Sequence, residues 1–400
     1  MKKNEILNLS PDVKWIGILD YDLVTFDVVM TTDFGSTYNS YFINADKKTI
    51  IDTSKETFWE TYEQKIRSVT DPAEIEYIVM NHTEPDHSGN LKNLLKIAPK
   101  AKVVATSVAI KYLKDIVGTD FDSIAVKDGH TLNLGNKTLR FISAPNLHWP
   151  DTMYTYLEDE KLLFTCDSFG CHFADERMFD DEVDDFSVAF RYYFDVIIKP
   201  FSRFMIRALD KIEPLEIAAI CPGHGPILRS NWKQYMDLTR MWAEKYLKQP
   251  AKNKVFIPYV SAYHKTGVIA GAIARGIRRA GDFDVELMDI EHSPLGELEM
   301  KLTQSNAIIV GSPTINQNIL LPIYRLFAVV NPYRDHGKIA GAFGSYGWSG
   351  ENRKMLEQNL RSLKFNFFEE GVFIKFSPTE KDLQRAEEYG TAFAKEMLKS

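Results

Sequence analysis

Apolar positions along the chain change period several times. Over the first fifty residues they come in short alternating bursts. Residues 38–43 and 48–52 flank the polar turn Asn44-Ala45-Asp46-Lys47 and read as a hairpin. Residues 58–69 follow a helical period, and the run Tyr77-Ile78-Val79-Met80 then reads as a buried strand. Leu91, Leu94 and Leu95 belong on a helix that Ser88 or Asn90 can cap. A second strand–helix unit spans 103–105 and 108–116. Strand-like sequence returns at 131–134 and 138–143 around a Gly135-Asn136 turn, and again at 154–157 and 162–165. Residues 186–209 form one or two helices, and the strand 217–221 leads into Pro222-Gly223-His224-Gly225-Pro226.

The polar stretch 248–254, rich in Lys, Pro and Gln, reads as a linker. Beyond it strands and helices alternate regularly. Strands fall at 255–260, 283–288, 307–311, 338–343 and 372–375, and helices at 267–280, 320–330, from about 351, and at 379–398. Such alternation predicts a doubly wound parallel sheet. The organisation expected is thus an α/β chain of two domains, 1–250 and 251–400.

Composition narrows the choice of partners. The chain has 400 residues, 44% hydrophobic and 26% charged, enough for cores of ordinary size. Lys and Arg total 48 against 55 Asp and Glu, a net charge of −7, which argues against nucleic acid or anionic membrane as the main partner. Cys166, Cys171 and Cys221 form no CxxC pair, so neither a disulfide framework nor a thiolate metal centre is expected. No apolar run reaches membrane-spanning length, and a cytoplasmic protein is expected.

The chemistry concentrates after the Tyr77 strand, in Asn81-His82-Thr83-Glu84-Pro85-Asp86-His87-Ser88-Gly89. Two imidazoles and two carboxylates lie within six residues, on what is expected to be a loop at a strand's C-terminal end. Pro85 is expected to bar a regular helix there. Three later strand ends carry further donors: His148 after 138–143, Asp167 after 162–165, and His224 after 217–221. Four imidazoles and three carboxylates exceed the needs of one ion that keeps an open position, and suit two ions sharing a carboxylate. The donor set is free of thiolate and fits iron or manganese, and zinc with less ease. Three carboxylates and a bridging hydroxide bring two divalent ions close to neutrality.

His-x-Glu-x-Asp-His followed by His, Asp and His resembles the metallo-β-lactamase fold in its flavodiiron version, where Glu84 stands in place of the second His of the zinc hydrolases. The words Leu-His-Trp-Pro-Asp, Asp-Ser-Phe-Gly and Pro-Gly-His-Gly match that family as well. The resemblance implies an αββα sandwich holding one iron on His82, Glu84 and His148. It places a second on Asp86, His87 and His224, with Asp167 bridging.

In the second half, three loops at successive strand ends carry small and hydroxyl residues: Ser261-Ala262-Tyr263-His264-Lys265-Thr266, Ser312-Pro313-Thr314-Ile315-Asn316 and Gly344-Ser345-Tyr346-Gly347-Trp348. Amides and hydroxyls at a helix start suit a phosphate monoester, and Tyr346 or Trp348 can stack on a ring. They resemble a flavodoxin-like FMN site, although His264 and Lys265 depart from the usual Thr-rich phosphate loop. No Gly-x-Gly-x-x-Gly is present, so a dinucleotide is less expected than FMN.

The family resemblance implies an oxidoreductase that reduces dioxygen to water, nitric oxide to nitrous oxide, or both. It further implies a head-to-tail homodimer or tetramer, with electrons from an external donor such as rubredoxin, a reduced deazaflavin, or NADH through a reductase. His172 is a candidate to line the pocket or donate a proton, and Tyr193 to hydrogen-bond the bound gas. His130, His292 and His336 are expected at the surface. Two rivals are a zinc hydrolase with an appended flavodoxin-like module, and an electron-transfer protein whose metal domain is only structural.

Overall fold

The computed structural model describes residues 5–26, 30–248, 253–368 and 371–399. The described residues up to Phe26 and from Thr31 to Lys248 form one compact unit, and those from 253 onward belong to a second.

In the first unit a seven-stranded sheet has the spatial order Leu7–Asn8, Val13–Trp15, Tyr41–Ile43, Lys48–Ile51, Ile75–Val79, Lys102–Thr106, Ser123–Val126. A five-stranded sheet runs Thr131–Asn133, Thr138–Ser143, Met153–Leu157, Leu162–Cys166, Ala219–Pro222. Alternate residues of the two sheets face each other in one hydrophobic core: Val13, Tyr41, Ile51, Val79 and Val104 against Phe141, Met153, Leu157, Phe164 and Cys221. The opposite face of the larger sheet (Phe42, Ile50, Ile78, Val103) packs on Ile66, Leu94 and Leu113 of its helices. That of the smaller sheet (Tyr154, Leu163, Ile220) packs on Phe190, Met205, Leu209 and Ala243. The result is a four-layer αββα sandwich.

Strand direction explains why the candidate ligands meet. Thr138–Ser143 and Leu162–Cys166 each pair antiparallel with Met153–Leu157, and Leu162–Cys166 pairs parallel with Ala219–Pro222. The three strands preceding His148, Asp167 and His224 therefore end on one edge.

Several elements differ from expectation for local reasons. The expected 38–43 strand is two: Ser36–Tyr38 pairs with Ile18–Asp20, and Tyr41–Ile43 forms the hairpin with Lys48–Ile51. Pro85 does not exclude a helix; it starts one. It occupies the first position of the single turn Pro85–Ser88, where a missing N–H costs nothing. Asn90 sits at the start of Leu91–Ile97, but its side chain donates to Ser54 and Lys55 rather than capping the helix. Residues 186–209 become Ser187–Tyr193 and Ser202–Ile212, joined by a π turn and a short turn at Lys199–Phe201 that contains Pro200. The helix Trp232–Lys248 was not anticipated. Within the 248–254 linker, residues 249–252 lie outside the described residues.

The second unit is a parallel sheet in the order Asp284–Asp289, Lys254–Tyr259, Ala307–Gly311, Ile339–Tyr346, with Val372–Lys375 and Asn366–Phe367 pairing on the last. Helices Lys265–Ala280 and Glu380–Met397 cover one face, burying Ile273, Ile277 and Phe393. They approach closely where Gly276 and Gly390 face backbone of the opposite helix, leaving no room for a Cβ. The unforeseen helix Leu295–Gln304 covers the other face with Leu321–Ala328 and Asn352–Ser362. Strand order reverses between Lys254–Tyr259 and Ala307–Gly311, the position at which such sheets take ligands. Among the described residues no helix is long and apolar enough to cross a membrane.

Candidate metal centre

Seven side chains converge at the sheet edge as two groups of donor atoms. His82, Glu84, His148 and Asp167 form one, and Asp86, His87 and His224 the other. His82 and His87 are fully buried, Asp167 and His224 nearly so, and His148 is the most exposed of the imidazoles. Glu84 Oε2 lies 2.9 Å from His148 Nε2 and 3.3 Å from His82 Nε2. Asp86 Oδ2 lies 3.1 Å from His224 Nε2 and 3.5 Å from His87 Nε2. Asp167 divides itself between the groups. Its Oδ2 is 3.4 and 3.5 Å from Nε2 of His82 and His148, while its Oδ1 is 3.0 and 3.6 Å from Nε2 of His87 and His224.

The backbone is bent to present these groups. Cys166 and Phe169, flanking Asp167, have φ of 48° and 65°, and Asn146 before His148 has 64°. Such left-handed residues cost of order 1–3 kcal/mol each and persist where the surroundings over-determine them. Here Tyr154 donates to Ser168 Oγ at 2.6 Å and Thr165 Oγ1 donates to the Ser168 carbonyl at 2.7 Å, pinning the turn.

Residues not singled out in the sequence aim the imidazoles. His82 Nδ1 faces Asp151 Oδ2 at 3.3 Å, and the same oxygen accepts from Thr83 N–H at 2.9 Å. His224 Nδ1 contacts the Thr37 carbonyl, whose hydroxyl accepts from Gly225 N–H at 2.8 Å. Buried Asn39 spans the His224 loop: its Nδ2 donates to the carbonyls of Pro222 (2.8 Å) and Gly225 (3.0 Å), and its Oδ1 accepts from Trp15 Nε1 (2.9 Å). Asp52 accepts from both the backbone and side-chain N–H of Asn81, fixing the start of the ligand loop. Tied at the outer nitrogen, His82 and His224 turn Nε2 toward the cluster, the usual arrangement of metal-binding histidine.

The electrostatics match the geometry. Burial opposes charge on His82, but hydrogen bonds to Asp151 and Glu84 prevail and raise it well above the ordinary imidazole value. Burial likewise opposes charge on His87, while Asp86 and Asp167 push it up to about 9. Asp167 is held well below the usual carboxylate range: burial acts against this and is outweighed by His87, His82 and His148. The field between these carboxylates thus favours positive charge. Both oxygens of Asp86, and Oδ2 of Asp167, are buried without a hydrogen-bond partner. Orphaned carboxylate oxygens beside imidazoles aimed inward fit two divalent cations. Cys166 also lies near His87 and Asp167, but burial raises its thiol well above the ordinary value, so it packs there as a neutral group.

The two remaining candidates sit against the centre. Tyr193 donates to Asp167 Oδ1 at 3.2 Å, and its ring meets that of His172 edge-on at 5.0 Å. His172 is not within either ligand group. Its Nδ1 pairs with Ser36 Oγ at 2.8 Å, and burial followed by repulsion from His224 pushes it well below the ordinary value, so it is a neutral imidazole. His130, His292 and His336 are exposed.

In the second unit the three loops meet at the switch point. Ser261 Oγ accepts from Gly267 N–H at 3.0 Å, and Thr266 Oγ1 and Ser345 Oγ are 2.9 Å apart. Asn352 links the other two, donating to the carbonyls of Ser312 (2.7 Å) and Ser345 (3.1 Å). Two placements differ from expectation. Lys265 and Thr266 already lie in the first turn of their helix, following His264 at φ 60°, and Gly344, Ser345 and Tyr346 continue the strand rather than leaving it. Asn316 and Gln317, at φ 53° and 57°, form a two-residue turn closed by Ile315 and Asn318. Ala262, Tyr263, Lys265 and Trp348 are exposed, whereas Pro313 is buried and Thr314 half-buried. Gly344 is required by packing, since a Cβ there would sit 2.4 Å from Asn352 Nδ2.

Comparison with known proteins agrees with both halves. Residues 37–225 match the family described as "ODP family beta lactamase", and residues 257–390 match "Flavodoxin". The chain is 38% identical to the flavo-diiron protein FprA2 of Clostridium acetobutylicum, over 97% of this chain and 99% of that one. It is 35% identical to a nitric oxide reductase of Moorella thermoacetica, covering 96% and 97%. The solved rubredoxin oxygen:oxidoreductase of Desulfovibrio gigas superposes with a TM-score of 0.76 at 30% identity, over 99% of each chain. With relatives matching over nearly its whole length and both domains recognised in order, the chain belongs to the flavodiiron proteins, oxidoreductases in which a β-lactamase-type metal domain precedes a flavodoxin domain.

Proposed function

We propose that this flavodiiron protein reduces dioxygen to water, nitric oxide to nitrous oxide, or both. The metal domain would be residues 1–250 and the FMN domain 251–400. The carrying observation is Asp167, one oxygen on each donor group, which is the arrangement a shared carboxylate between two ions requires. His82, Glu84 and His148 would hold one iron and Asp86, His87 and His224 the other. The 261–266, 312–316 and 344–348 segments would hold FMN. The names of the Moorella and Desulfovibrio relatives support the two gases and a rubredoxin-type donor.

When bound, two ferrous ions and reduced FMN supply four electrons, the number that takes dioxygen and four protons to two waters. Coupling two nitric oxides to nitrous oxide and water needs two electrons and two protons. The chain's own residues do the rest. Asp167 keeps the two sites at a fixed separation, and Tyr193 holds one oxygen of that carboxylate by its hydroxyl. Asp151 and Thr37 set the orientation of His82 and His224. A head-to-tail homodimer or tetramer, one subunit's FMN facing its partner's irons, completes the reading, and its support is the family likeness.

The test is anaerobic reduction of the iron-loaded protein followed by turnover of each gas under one donor. Consumption of either, lost in His148→Ala, supports the assignment and ranks the substrates. Consumption of neither by a protein that carries two irons and FMN overturns it.

A further inference from the structure

A pocket of about 200 Å³ opens beside the metal centre, lined by residues 31–34 on one side and by Val188, Ala189, Tyr192 and Tyr193 of one helix on the other, with His172 between. Its walls run from exposed to buried. Val188 (71% exposed) and Phe34 (47%) form the rim, while His172 (5%) and Tyr193 (3%) form the inner end. That inner end touches the centre, since Tyr193 donates to Asp167 and the His172 ring lies 5.1 Å from that of His224. His172 also keeps Nε2 buried without a hydrogen-bond partner. A water's share of liquid volume is about 30 Å³, so the pocket has room for several molecules of diatomic size.

We propose that this pocket is the antechamber by which a small, weakly polar oxidant reaches the metal centre, with Val188 at its mouth and Ala189 setting its bore. The inference rests on the gas-reductase reading and adds the route. Phe34, Val188 and Ala189 give a diatomic gas an apolar resting place at no hydrogen-bonding cost, and Asp33 in the same lining disfavours an anion. The buried His172 nitrogen at the inner end is a polar handle without a hydrogen-bond partner.

Xenon tests the chamber without turnover. Crystals of the protein pressurised with xenon should show it in this pocket, between Phe34 and Ala189, and xenon bound only elsewhere overturns the proposal. Val188→Trp adds bulk at an exposed rim, and Ala189→Phe adds it within the bore. Both should lower kcat/KM for dioxygen or nitric oxide by about tenfold or more, with kcat at saturating gas, iron content and anaerobic FMN reduction unchanged. If Ala189→Phe loses iron or folds poorly, Val188→Trp decides. Unchanged kcat/KM in that variant refutes the route. Should the unmodified protein consume neither gas, the functional reading falls, and the xenon result still decides whether the chamber exists.

Discussion

Asn39→Ala is the substitution that best separates this account of the centre from one in which the seven ligands alone matter. Asn39 is fully buried and 185 residues before His224, yet it makes three side-chain hydrogen bonds into or behind the His224 loop. Their loss is unequal. The Pro222 carbonyl keeps a second donor, Tyr41 Oη at 2.7 Å. Trp15 Nε1 and the Gly225 carbonyl lose the only side-chain partners described for them. Orphaning a buried donor or acceptor costs about 1–3 kcal/mol each, and a water admitted into the polar space left by the amide returns part of that. We therefore expect a loss of about 2–4 kcal/mol in the stability of the first domain, read from urea unfolding. Because His224 belongs only to the group with Asp86 and His87, the same variant should bind about one iron per chain instead of two. The His82 group and FMN should be retained. A loss below about 1 kcal/mol with both irons in place would refute the positioning role.

Three further outcomes follow from the geometry. Asp167→Ala should remove both irons while FMN stays bound, checked by metal analysis and flavin absorbance; flavin lost together with iron would count against two separate sites. Gly344→Ala, which drives a Cβ into Ser312 and Asn352, should weaken FMN binding and the second domain while leaving iron content intact, as titration with FMN would reveal. Lys65 is buried, and burial lowers its pKa from 10.5 to about 7, although the Glu5 and Gly17 carbonyls and the Trp15 ring at 4.1 Å favour its ammonium. Between about pH 7 and 10.5 the unfolded chain binds the extra proton, so stability rises with pH by up to about 1.4 kcal/mol per pH unit, about 5 kcal/mol in all as an upper bound. Urea midpoints measured from pH 7 to 9 should climb in the native chain and flatten in Lys65→Met; equal slopes would sink the assignment.

The convergence of the seven candidate ligands was legible because their types are restrictive and each follows a strand-like run, so local pattern placed them at strand ends without any knowledge of pairing. Their aim was not legible. Ser36, Thr37 and Asn39 meet His172, His224 and its loop across separations of 136 to 188 residues, and Asp151 meets His82 across 69. A single Ser, Thr or Asn carries no periodic signal, and nothing in the bursts around residue 38 indicates that the strand breaks at Asn39 to turn its amide toward a distant carbonyl. Pro85 misled for a different reason. Its ring excludes a helix on its N-terminal side only, and at the first helical position it starts the turn that carries Asp86 and His87.

The three candidate loops of the second domain were legible in position but not in extent, and the reason is physical. A strand end is defined by where pairing stops, and Ile339–Tyr346 keeps pairing with Val372–Lys375 past the point where small residues begin. Gly344 and Ser345 read as loop because they lack side-chain bulk, yet that lack is what lets Asn352 reach the Ser312 and Ser345 carbonyls and bind the loops to one another. In the metal domain chemistry advertises itself through side-chain type. In the flavodoxin domain it resides in backbone and close approach, so composition marks the site while only the fold shows how it is held. Asn352 is therefore the residue on which the two loops depend, and its amide does for the switch point what that of Asn39 does for His224.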